Sequence, residues 1–243
     1  MPEGGAPVVT ASARETPILV RVWDLPTRLF KWSLVLCVVL AWATNKFATE
    51  HPQWHKWNGY AVLVLIAFRI LWGFFGSFPS RFAAFIPSPR QTLAYALALF
   101  RGGGPKYLGH TPLGAWMILA LLVATATQAI IGLYSADEDR LVIEGPLAHT
   151  VSDAAVDKAA SLHRLGFNII LVLASVHILA NILYDVIGRS GLVRSMITGD
   201  KRVDPEISPL EPAKASGLRA LACLIVATGI VFGAIAALGG RNF

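Results

Sequence analysis

Apolar residues in this chain gather into long runs rather than into faces. Five stretches, 29–44, 58–78, 113–134, 162–187 and 218–238, are almost free of charge. Runs of this length fit the apolar thickness of a bilayer, about 30 Å, at a helical rise of about 1.5 Å per residue. The pattern therefore predicts five transmembrane helices. Residues 89–101, PRQTLAYALALFR, are helix-prone but too short to cross, so they are expected in the membrane interface, ended by three glycines at 102–104. The expected fold class is all-α, a transmembrane four-helix bundle with a fifth C-terminal transmembrane helix. The corresponding division is a tail at 1–28, a four-helix membrane domain at 29–201, a linker at 202–217 and the fifth helix with a short tail at 218–243.

Composition agrees with this reading. Of 243 residues 55% are hydrophobic and 15% charged, with a mean hydropathy of +0.57, far more apolar surface than one soluble core could bury. The net charge of +6 comes from basic residues scattered through short loops, not from a stripe, which argues against a nucleic-acid partner. Arg14, Arg21, Arg28, Lys31, Arg81, Arg90, Arg101, Lys106, Arg189, Arg194, Lys201, Arg202, Lys214 and Arg219 flank one side of the expected spans, against Lys46, Lys56, Arg140, Lys158 and Arg241 on the other. The positive-inside rule then places the N-terminus in the cytoplasm as a retained tail, the C-terminus outside. The outer loop between the third and fourth spans holds Asp137, Glu138, Asp139, Glu144, Asp153 and Asp157 against Arg140 and Lys158. It is either a solvated loop or a docking surface for a basic partner, steered electrostatically and weakened by salt. Cys37 and Cys223 lie inside apolar runs and no CxxCH occurs, so neither a structural disulfide nor covalently attached haem is expected.

His163 and His177 stand fourteen positions apart on the fourth span. Fourteen helical steps fall about 40° short of four turns and rise about 21 Å, so both imidazoles face one way at opposite membrane depths. Stacked haems, one near each surface, need that arrangement. His55, at the outer start of the second span, shares the depth of His163. Two neutral imidazoles hold haem iron six-coordinate, which favours electron transfer over oxygen chemistry. Arg69 follows His55 by the same fourteen residues and is costly inside YAVLVLIAFRILWGFFG. It is expected to face the interior at the depth of His177, where a haem propionate would be a partner, the alternative being an arginine that snorkels to the interface. Lys31, at the inner start of the first span, is the residue that faces His177.

The stretches VRVWDLPTRLFKW, HKWNGYAVLVLIAFRILWGFFGS, YLGHTPLGAWM, QAIIGLY, LHRLGFNIILVLASVHILANILY and LVRSMITGDK, spread over 20–201, resemble the bacterial cytochrome b561-like four-helix di-haem membrane cytochromes. That family includes the b-type subunits of nickel-iron hydrogenases. The resemblance implies two haem b groups, an outer one on His55 and His163 and an inner one shared by His177 and a first-span histidine. Here the pattern breaks, because this chain reads Phe30, Lys31, Trp32. Lys31 could donate its amine to the inner iron once deprotonated. The inner haem could instead be five-coordinate on His177, the inner site could be empty, or Lys31 could be an ordinary anchor pointing to water.

The resemblance further implies a lipid-embedded protein of the bacterial inner membrane that relays electrons between quinone and a periplasmic redox protein, a c-type cytochrome by preference. Superoxide-to-quinone oxidoreduction and a role as membrane anchor of a larger redox complex are the alternatives, and homo-oligomerisation stays open. His51 and His149 are expected in solvent on outer loops; His110, in GHTPLG, is at best a remote substitute for the missing inner ligand. Trp32, Trp42, Trp54, Trp57, Trp72 and Trp116 read mostly as interface anchors. On the fifth span Gly229, Gly233 and Ala237 recur every four positions, a spacing that suits close helix packing.

Overall fold

The computed structural model describes residues 18–47, 51–101, 107–137, 143–187, 191–203 and 215–240. Five of its helices are long and apolar enough to cross a membrane. They are α1 (Leu25–Phe47), α2 (Pro52–Phe75), α5 (Pro112–Gly132), α6 (Asp153–Val186) and α8 (Gly217–Ala237). Between α2 and α5 lie the short α3 (Phe82–Phe85) and α4 (Pro89–Phe100), the latter in the place expected for an interfacial helix. Each expected span is present, and α6 extends the apolar run by nine polar-rich residues at its N-terminal end. At 34 residues it is about 51 Å long and overshoots the hydrocarbon at one or both ends.

Local chemistry sets the helix starts. Ser88 caps α4 with a full capping box to Gln91, and Thr111 caps α5 by accepting from Gly114 N at 3.1 Å, with Pro112 in the first turn. The Asp185 carboxylate accepts from Val193 N at 2.9 Å and from Leu192 N, which fixes α7 (Leu192–Thr198) beneath the end of α6.

The most heavily bonded start is that of α1. Asp24 is 1% exposed, and its carboxylate accepts from Thr27 N at 2.7 Å, Trp72 Nε1 at 3.1 Å, Ser80 Oγ at 2.9 Å and Ser77 Oγ. One acidic side chain thus caps α1 and fastens it to the end of α2. Trp72 is fully buried here and stacks on Phe68, so it is a core residue rather than an interface anchor. Trp32, Trp42, Trp54, Trp57 and Trp116 are all exposed, as anchors require.

Helix α2 is the hub, packed against α1, α5 and α8, while α5 carries α6 and α4 on its other side. Beside the helices, β1 (Ile18–Arg21) pairs antiparallel with β4 (Asp200–Val203), and β2 (Ala136–Asp137) with β3 (Ile143–Glu144). The β1–β4 ribbon ties the segment before α1 to the segment after α7, with Arg21 Nε 3.0 Å from Asp200 Oδ1. Gly199 makes the turn into β4 at φ +90°; its carbonyl accepts from Val22 N and Trp23 N, and a Cβ there would stand 2.8 Å from Trp23 O. No L side chain fits that turn.

Helix α8 packs on α2 through Cys223, Ala227, Val231 and Ile235, which are buried. Gly229, Gly233 and Ala237, the stripe whose spacing suits close packing, lie about 160° away round the helix and are exposed. Both stripes repeat every four residues, and the bulkier one faces α2. Cys37 and Cys223 are buried free thiols. Of the acidic loop, Glu138, Asp139, Arg140 and the side chain of Asp137 lie outside the described residues; Glu144, Asp153 and Asp157 are exposed.

Candidate haem site

His55 sits in the first turn of α2 and His163 ten residues into α6, and the fold brings them together. Their ring centroids are 6.2 Å apart with planes at 78°. Two imidazoles on opposite sides of one metal, each bonded at about 2 Å, put their centroids about 6 Å apart. Each ring is also oriented from behind. His163 Nδ1 is 3.1 Å from Gln128 O, and His55 Nδ1 is 3.2 Å from Thr44 Oγ1. An imidazole whose Nδ1 is committed to an oxygen binds metal through Nε2, with its tautomer and orientation fixed by that bond.

The helices leave space around the pair. One cavity runs towards Cys37, Asn58 and Phe167, and a second towards Tyr60, Gly132 and Pro146. Asn45, His55, Gly59, Ala129, His163 and Arg164 line both, so the histidine pair stands between them. A Cβ on Gly59 would meet nothing within 4 Å, whereas one on Gly132 would meet His163 Cε1 at 2.9 Å. Missing side chains thus open the space at one position and seat the ligand ring at the other. The paired imidazoles and the space beside them would suit a flat metal macrocycle held by His55 and His163.

At the other end of the bundle Lys31, Arg69, His110 and His177 converge. Arg69 is buried, 4% exposed, with its guanidinium 4.8 Å from the Phe82 ring and 5.7 Å from that of Phe85. Its Nη1 is buried without a hydrogen bond. Lys31 is half-buried rather than pointing to water; its amine lies against Met196 Sδ and 5.4 Å from the Trp23 ring. His177 Nε2 accepts from Asn181 Nδ2 at 3.2 Å on its own helix. Lys31 and His177 therefore spend these contacts on other residues, and the inner site is less tightly assembled than the outer one.

His110 is the residue whose place the sequence concealed. Its ring packs 4.5 Å from Trp23 and 4.9 Å from Phe85, and its Nδ1 is buried without a partner. Burial, with the nearby charges of Lys31, Arg69 and His177, holds its pKa well below the usual imidazole range, so it is neutral at pH 7. It lies on a loop, where helical periodicity gives no signal, although GHTPLG before an apolar run marks a helix start. Asp24 was also overlooked, and its signal was Asp-Leu-Pro before an apolar run. His51 and His149 are exposed, as expected.

A membrane helical bundle with half-buried, paired histidines between its helices is the architecture of a cytochrome of the membrane. The chain belongs to the prokaryotic cytochrome b561 family, whose profile matches residues 22–199. It is also 24% identical, over 216 aligned residues that cover 75% of this chain and 86% of the relative, to a probable Ni/Fe-hydrogenase B-type cytochrome subunit of Bradyrhizobium diazoefficiens. No solved structure matches it. It is a multi-pass bacterial membrane protein in contact with lipid, a b-type cytochrome that takes part in electron transfer, and its family implies haem b. Helix α8 lies beyond the part of the chain that the family profile covers.

Proposed function

We propose that this chain carries two haem b groups and relays single electrons between the quinone pool and a periplasmic redox protein of the c-type cytochrome kind. The observation that carries the reading is the 6.2 Å separation of His55 and His163, with each Nδ1 held from behind. When bound, haem iron supplies reversible one-electron chemistry with little rearrangement of its ligands. His55 and His163 would hold the outer group through Nε2, while Thr44 and Gln128 fix their orientation. His177 would hold the inner group, with Lys31 as its second donor in place of the family's histidine. The unsatisfied Nη1 of Arg69 suits a propionate at that depth.

The N-terminus is proposed to be cytoplasmic, on the strength of the excess of Lys and Arg at the Lys31 end of the bundle. Residues 29–201 then form the electron-carrying domain, preceded by the tail at 1–28, and α8 is an addition joined through 202–217. Glu144, Asp153 and Asp157 lie on the proposed periplasmic face and suit a basic partner. A second reading, oxidation of superoxide with quinone as acceptor, draws support from Lys56 and Arg164, which line the cavity beside the histidine pair and would attract an anion.

A pyridine haemochrome count combined with a redox titration of the purified protein tests the main reading. Two haems per chain with two resolved potentials are expected. Colourless protein, correctly inserted and supplied with haem, would overturn it. Stopped-flow mixing with superoxide separates the second reading, which requires rapid haem reduction.

A further inference from the structure

Helices α2 and α8 leave an open groove between them at the Lys31 end of the bundle. Its walls are apolar, formed by Leu71, Phe74 and Phe75 of α2 and Ala222 and Val226 of α8, and its mouth is formed by Arg81 and Arg219. Phe74 and Phe75 are 63% and 57% exposed, so this wall faces hydrocarbon. The two arginines are held at the last turn of α2: Arg81 Nε donates to Gly76 O at 3.0 Å and Arg219 Nη1 to Phe75 O at 3.3 Å. These bonds fix both guanidiniums at the level where the helix leaves the bilayer. Each donates one N–H to a carbonyl, which leaves most of its five-donor fork facing outward.

Among the described residues the lining contains no carboxylate. Asp24, which reaches the segment after α2 through Ser77 and Ser80, is buried and has its oxygens committed to four donors. An apolar slot that ends in two cations at headgroup depth is complementary to one molecule of the membrane itself. We propose that this groove binds an anionic phospholipid, with an acyl chain between α2 and α8 and its phosphate bridging Arg81 and Arg219. Basic pockets between transmembrane helices recognise anionic headgroups in this way, and the planar fork of arginine matches phosphate oxygens in pairs. The lipid would strengthen the attachment of α8, whose buried face is limited to Cys223, Ala227, Val231 and Ile235. This site is independent of the haem ligands and of the orientation of the chain.

The test uses the full-length haem-loaded protein, stripped of lipid in a neutral detergent. Thermal unfolding is followed by tryptophan fluorescence with added phosphatidylglycerol, phosphatidylcholine, inorganic phosphate or a short-chain ubiquinone, and native mass spectrometry counts the lipid retained. Phosphatidylglycerol alone is expected to raise Tm and to be retained as one molecule. Replacing both arginines, Arg81→Gln with Arg219→Gln, is expected to weaken that retention by about 10- to 30-fold. Neutralising Arg90 and Arg101 of the α4 region, Arg90→Gln with Arg101→Gln, should leave it unchanged. If the first pair of substitutions prevents folding, Ala222→Trp provides the same test, because it fills the groove from a lipid-facing position and leaves both guanidiniums in place. Equal stabilisation by phosphatidylcholine, an equal effect of phosphate alone, displacement of phosphatidylglycerol by ubiquinone, or unaltered retention in these groove variants would each overturn the proposal.

Discussion

The ring of His163 fills the space that a side chain at Gly132 would take, with Cε1 2.9 Å from where that Cβ would stand. Helix α5 thereby positions a residue of α6 by shape, beside the bonds of Gln128, whose side-chain Nε2 donates to His163 O at 2.8 Å. Gly132→Leu is expected to push the imidazole out of line with His55 and to remove the outer haem, lowering the haem-to-protein ratio from two to one. Gly132→Ala needs only a small shift and is expected to weaken haem retention about 10-fold, at the lower end of the effects seen when the support of a metal ligand is altered. Haemochrome counts on the two variants check both outcomes; full haem content in Gly132→Leu would show that the ring has room to spare.

Thr44 controls the opposite ligand. Its hydroxyl lies 3.2 Å from His55 Nδ1 and donates to Leu40 O at 2.7 Å, so it is itself held in place. Thr44→Val keeps the shape and removes the oxygen. The expected result is outer-haem affinity lowered about 10- to 100-fold, with a shift of one of the two potentials and no change in the other. A redox titration resolves the two components. Movement of both would mean that Thr44 acts on the bundle as a whole.

Much of this was legible in the sequence, and the limits have physical causes. The five spans, the depth of His55, His163 and His177 and the inward course of Arg69 all follow from helical period and the cost of charge in hydrocarbon. His110 was not legible as part of the inner cluster, because a loop residue has no periodicity and only the fold brings it beside Lys31 and Arg69. Trp72 resembles the other span-end tryptophans until Asp24 is seen to accept its N–H. Spacing alone also could not choose between the two faces of α8, since both repeat every four residues.

Asp24 makes the strongest stability prediction. Replacing it by Ala leaves Thr27 N, Trp72 Nε1 and the hydroxyls of Ser77 and Ser80 without their acceptor in a buried site. Buried donors left unpaired cost about 1–3 kcal/mol each, partly offset as the two serines turn to each other and to Thr27, so a loss of about 3–5 kcal/mol is expected. Asp24→Asn keeps one acceptor oxygen and should fall between the variant and the parent. Thermal unfolding in detergent, followed at the haem band and by tryptophan fluorescence, checks the order. Because Asp24 joins α1 to α2, both signals should shift together.

Lys31 decides the chemistry of the inner site. Its amine now rests on Met196 and Trp23 in the cluster that contains His177, while His110 has a ring nitrogen with no partner in the same cluster. If the amine is the inner donor, Lys31→Ala must change the electron paramagnetic resonance signal of one haem towards a high-spin or altered low-spin form and leave the His55–His163 signal intact. Lys31→His, which restores the residue expected from the family pattern, should return that haem to a bis-imidazole spectrum. His110→Ala should leave both axial spectra unchanged. A Lys31→Ala spectrum equal to that of the parent would take the amine off the iron, and a change confined to His110→Ala would move the inner donor to the loop before α5.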